Sequence, residues 1–146
     1  MQNSLLPDPR LDAQFYDGVP AKRLVAWAID LIAVLGICLA FIIASLGLMA
    51  FIFPVLAFVA NLAYRVFCIS RWSATLGMRV TGIEVRNASG DRLTGAQAFW
   101  HTGLFIFVFM SGLGIIVNIL CILLNDRGQG LHDLLLGTAA INRPAE

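Results

Sequence analysis

From Leu31 to Tyr64 the chain runs 34 residues without one formal charge. A bilayer crossing needs about 20 apolar residues, so this stretch holds two crossings and a tight turn. The small, polar interruption Ser45-Leu46-Gly47 places the turn. Helices are expected near 24–45 and 48–67, with Pro54 bending the second. Composition agrees: 59% of the 146 residues are hydrophobic and 13% charged. A soluble domain of this size has too little interior to hide so much apolar side chain. The leading apolar run is longer than the hydrophobic part of a signal peptide and follows a polar stretch, so it reads as a retained anchor.

Residues 68–97 change character. Val80–Arg86 partly alternates apolar and polar, Asn87–Asp91 supplies turn residues, and Arg92-Leu93-Thr94 follows. That pattern predicts a short β-hairpin over 80–94 outside the membrane. Asn87-Ala88-Ser89 matches a glycosylation triplet but reads as a plain turn. A third apolar stretch, 96–124, is interrupted at Ser111-Gly112-Leu113-Gly114. It either spans once or dips in and folds back. The expected class is therefore an all-α membrane protein of about three hydrophobic segments, the third spanning or broken and re-entrant, with a small cytoplasmic β-hairpin between the second and third. Residues 1–19 read as an N-terminal tail and 20–142 as the membrane domain.

Lys and Arg gather on the cytoplasmic side of bilayer proteins. Arg10, Lys22 and Arg23 precede the first span, Arg65, Arg71, Arg79, Arg86 and Arg92 follow the second, and the first turn carries none. The N-terminus and hairpin are thus expected in the cytoplasm. A single third crossing would put Arg127 and Arg143 outside; a re-entrant one keeps every basic residue inside, and the reading leans that way.

One residue does not belong in hydrocarbon. An Asp at the middle of a spanning helix costs about 2.5–3.5 kcal/mol on insertion scales, yet Asp30 sits in the first span. At 100° per residue Arg23, Ala26, Ala33, Ile37, Ala40 and Ala44 share or flank its face, whereas Leu24, Ile32, Leu35, Leu39 and Ile43 lie opposite. Small residues mark close helix approach, so Asp30 is expected to point into protein. Asn61 and Arg65, four apart on the second helix, are its expected neighbours with Arg23. Such a cluster reads as a static network or as a proton or cation site.

Lys22–Asp30, with arginine at the head of the helix and aspartate within it, Thr75-Leu76-Gly77-Met78-Arg79, and Gln129–Asp133 with Gly137-Thr138 together resemble the RDD family of bacterial membrane proteins, across residues 20–142. The resemblance implies that Arg23, Asp30 and Asp133 are its defining residues, with His132 beside the last. It also implies a multi-pass protein of the bacterial inner membrane. His101 stands where many relatives carry arginine, which puts a basic role there in doubt. The family's molecular function is largely undefined, and ion/proton antiport has been proposed for some members.

Two functions stay open: a proton or cation transport component using Asp30, which would need an oligomer, and a non-catalytic accessory or structural protein binding a partner or anionic lipid. No nucleophile–base order, HExxH or phosphate loop suggests an enzyme. No cofactor is expected, and the widely spaced His101 and His132 suggest no metal. Cys38, Cys68 and Cys121 read as packed thiols. The expected partners are the lipid bilayer and a second copy or another membrane protein, and no basic run suggests nucleic acid.

Overall fold

The structure, a computed structural model, describes residues 5–143; residues 1–4 of the expected tail and residues 144–146 lie outside the described residues. Helix α1 covers Val19–Ala44. It starts after Gly18, with Pro20 in a first turn that needs no N–H donor there. Its 26 residues extend about 39 Å, enough to cross hydrocarbon about 30 Å thick. The chain then turns at Ser45–Gly47, as the sequence suggests. Leu46 and Gly47 take φ 54° and 89°, and Ser45 Oγ accepts from Met49 N.

Helix α2 covers Phe53–Trp72 after a 3-10 turn at Leu48–Ile52. The expected bend at Pro54 is corrected: the helix begins later than its apolar run, and Pro54 falls in the first turn. A proline there removes no helical hydrogen bond. On α1, Ala26, Asp30, Val34 and Cys38 form a buried stripe four residues apart, while Leu24, Ile32, Leu39 and Ile43 stay exposed. Val34 and Cys38 pack on Ala60, Tyr64 and Cys68 of α2. The two helices are long and apolar enough to cross a membrane.

The expected hairpin over 80–94 is also corrected. Residues Leu76–Thr81 form helix α3, capped by the Thr75 side chain, which accepts from Met78 N. Strand β1, Ile83–Arg86, pairs antiparallel with β2, Ala139–Asn142, in the register Ile83↔Asn142 to Arg86↔Ala139. The turn itself is as read: Asn87 Oδ1 accepts from Ser89 N and Asp91 N. Arg86 and Arg92 make one isolated bridge. The returning strand fails because Thr94 already caps α4, Gly95–Met110, through a reciprocal pair with Gln97. That leaves too few residues for a ladder. Ala139, Ala140 and Ile141 supply the missing partner and are buried. Leu6 and Tyr16, from the N-terminal stretch, pack on Ala139 and Ile141.

Helix α5, Leu113–Leu124, leaves α4 at an angle of 117° across Ser111–Gly112. Gly112 takes φ 66°, a left-handed backbone that favours glycine. The arms of 16 and 12 residues reach about 24 and 18 Å, short of a full crossing each. Helix α6, Leu131–Leu136, follows. Asp133 of α6 lies 2.9 Å from His101 in the first half of α4, so the chain returns to the end of the bundle from which α4 set out.

Candidate functional site

Asp30 is buried and surrounded by donors. Its Oδ1 accepts from Tyr64 OH at 2.6 Å and Gly77 N at 2.9 Å, and its Oδ2 from Thr75 Oγ1 at 2.7 Å. Arg65 Nη2 stands 3.5 Å from Oδ2. The donors come from α2, from the link after it and from α3, so one carboxylate ties three segments to α1. Tyr64 OH in turn accepts from Leu76 N at 3.1 Å. Gly77 permits the approach, because a Cβ there would lie 2.1 Å from the Ala26 carbonyl oxygen.

Asp133 makes a second knot and is fully buried. Its Oδ2 accepts from Arg23 Nη2 at 2.6 Å and Gly130 N at 3.0 Å. Its Oδ1 meets His101 Nε2 at 2.9 Å and accepts from Thr138 Oγ1 at 3.0 Å. The His132 ring stands edge-on to that of His101, centroids 4.9 Å apart. His132 Nδ1 lies 3.1 Å from Asn118 Oδ1, which also accepts from Leu131 N. Buried charges are tolerable when paired and hydrogen-bonded, and both aspartates meet that condition.

All six residues singled out in the sequence meet in this core, with a different pairing. Arg23 serves Asp133, Arg65 serves Asp30, and Asn61 accepts from Arg65 Nε at 3.0 Å. His101, where the resemblance puts a basic role in doubt, stands with its Nε2 2.9 Å from Asp133 Oδ1. Tyr64, Thr75, Gly77, Asn118 and Thr138 were missed as site residues. Thr75-Gly77 and Gly137-Thr138 lie in the quoted motifs, so a signal existed for three of them.

The reading of two unrelated histidines is corrected as well. The fold brings ligand atoms of His101, His132 and Asp133 within 4.8 Å of one another, a convergence hidden by the 30 residues between the two histidines. These residue types can bind a transition metal. The local electrostatics fit one poorly, because Asp133 already meets four donors and Arg23 sits 2.6 Å from it and 3.5 Å from His132 Nε2.

Burial pushes the His132 imidazole from 6.5 down to about 3, against the pull of Asp133. For Asp133, burial opposes ionisation, but Arg23 with both histidines outweighs it and holds the carboxyl well below 3.8. Between pH 6.5 and about 3 the unfolded chain binds a proton that folded His132 refuses. That stability is complete above the window and is lost as pH falls through it. Asp133 acts with the same sign, its contribution disappearing as pH falls below the ordinary carboxylate range. Thermal unfolding in nanodiscs should therefore move to lower temperature from pH 6.5 downward. His132→Gln should flatten the upper part of that loss and leave the acid part.

A family model described as RDD family matches residues 18–137. The uncharacterized protein YxaI of Bacillus subtilis (strain 168) is 25% identical over 83 residues, covering 57% of this chain and 52% of that protein. The chain thus spans about half the length of this relative. No solved structure matches.

Proposed function

This chain belongs to the RDD family, and from that premise we propose that it is a non-catalytic accessory or structural protein of the bacterial plasma membrane. Its charged core serves as a clasp, with the N-terminus and the β1–β2 sheet in the cytoplasm. The observation that carries this reading is the saturation of both aspartates. Asp30 accepts three hydrogen bonds beside Arg65, and Asp133 takes Arg23, His101, Thr138 and a backbone N–H. Carboxylates so fully engaged with donors suit holding helices in register. The apolar flanks, with Ile32, Phe51, Phe107 and Leu113 exposed, suit contact with lipid, a second copy or another membrane protein.

A second reading, a proton or cation transport component, is favoured by one observation. A cavity of about 50 Å³ lies against Asp30, between Arg23 and Arg65. Reconstitution into liposomes separates the two. The clasp reading expects proton and sodium flux no greater than in empty vesicles. It also expects Asp30→Asn to lower thermal stability. Flux driven by a pH or sodium gradient that Asp30→Asn abolishes would establish transport instead.

A further inference from the structure

The same cavity has a polarity that the clasp does not need. Two guanidinium groups stand on its wall, Arg23 from α1 and Arg65 from α2. Arginine carries five N–H donors and no acceptor. Arg65 makes one hydrogen bond, Nε to Asn61, and its Nη2 has only the 3.5 Å approach to Asp30. The Asp30 oxygens are already taken by Tyr64, Thr75 and Gly77. The Arg65 guanidinium lies over the Phe105 ring at 4.4 Å, which fixes its plane and leaves its edge. The remaining Arg65 N–H groups have no hydrogen-bond acceptor among the described residues. Arg23 has one short bond, to Asp133, and two long ones, at 3.4 Å to Gly128 O and 3.5 Å to His132 Nε2. A body that enters this space and accepts hydrogen bonds is met by two cations.

The geometry points to a binding site for one small inorganic anion, of halide size, held between Arg23 and Arg65. About 50 Å³ admits one or two bodies of water size, at about 30 Å³ each in the liquid. A cation is disfavoured, since the nearby carboxylate oxygens are engaged and the free donors carry positive charge. The site goes beyond the clasp reading and does not depend on it.

Trp27 lines the cavity and supplies the probe. In a Trp72→Phe/Trp100→Phe background in phosphatidylcholine nanodiscs, Trp27 is the sole tryptophan, and iodide quenches indole fluorescence on contact. At constant ionic strength, quenching is expected to saturate with iodide and to be reversed by chloride but not by gluconate. Arg65→Gln should remove the saturable part and leave the collisional part. Quenching that stays linear in iodide and indifferent to chloride would overturn the site, and this outcome needs no altered arginine. Reversal by phosphatidylglycerol in the bilayer, without reversal by chloride, would assign the arginines to lipid headgroups and overturn the inorganic-anion assignment.

Discussion

Arg23→Ala should destabilise the protein by about 3–5 kcal/mol, the usual cost of removing one partner from a buried ion pair. The carboxylate left behind is fully buried. Its remaining partners are His101, Thr138 and Gly130 N, with His132 Nε2 at 3.5 Å, none a fixed charge. Asp133→Ala should cost a similar amount by leaving Arg23 with only long contacts to Gly128 O and His132. A cycle distinguishes pairing from simple packing: with both residues replaced by Ala, the loss should be well below the sum of the two single losses. Unfolding in nanodiscs reads all three variants. Additive losses would mean that Arg23 and Asp133 act separately.

Gly77→Ala should be the most damaging substitution of a single methyl group. The added Cβ would stand 2.1, 2.7 and 2.9 Å from the carbonyl oxygen, carbonyl carbon and Cα of Ala26. Backbone atoms cannot swing aside as a side chain can, so α3 must move off α1 and stretch the Gly77 N to Asp30 bond. Overpacking of this kind costs about 1–3 kcal/mol or more, and loss of a bond to a charged group adds to it. Gly36→Ala is the matched control. It lies within α1 with nothing inside 4 Å of the new methyl, and a helical Gly-to-Ala change is worth about 0.5–1 kcal/mol in the stabilising direction. Thermal unfolding should move in opposite directions for the two variants. A neutral Gly77→Ala would contradict the close α1–α3 packing.

Parts of this structure are legible in the sequence because lipid punishes charge and spares small residues in known ways. The charge-free run places two helices and their turn, and the alanine-rich side of α1 turns Asp30 inward. The four-residue spacing of Asn61 and Arg65 gives their contact, and the glycine break divides α4 from α5. Other features depend on distant pairing. Residues 92–94 look like a strand partner locally, but Thr94 is committed to capping α4, and β1 finds its ladder more than fifty residues away. Which arginine serves which aspartate depends on how α6 returns, and charge counting along the chain cannot supply that. Tyr64 and Thr75 escape notice because an aromatic and a threonine beside apolar segments look like ordinary packing. His101 departs from the family pattern, yet its ring nitrogen reaches Asp133 from α4.

The account rests on the third apolar segment turning back, so that Asp133 meets Arg23 at the end where α1 begins. Single cysteines at Leu46, Ser89 and Asp126, all exposed, test this directly in a background with Cys38, Cys68 and Cys121 replaced by Ser or Ala. With a membrane-impermeant thiol reagent, intact cells should label Leu46→Cys alone, and Ser89→Cys and Asp126→Cys should react only after permeabilisation. Labelling of Asp126→Cys together with Leu46→Cys in intact cells would mean that α4 and α5 cross the bilayer once. Asp133 would then lie on the far side from Arg23, and the clasp could not form.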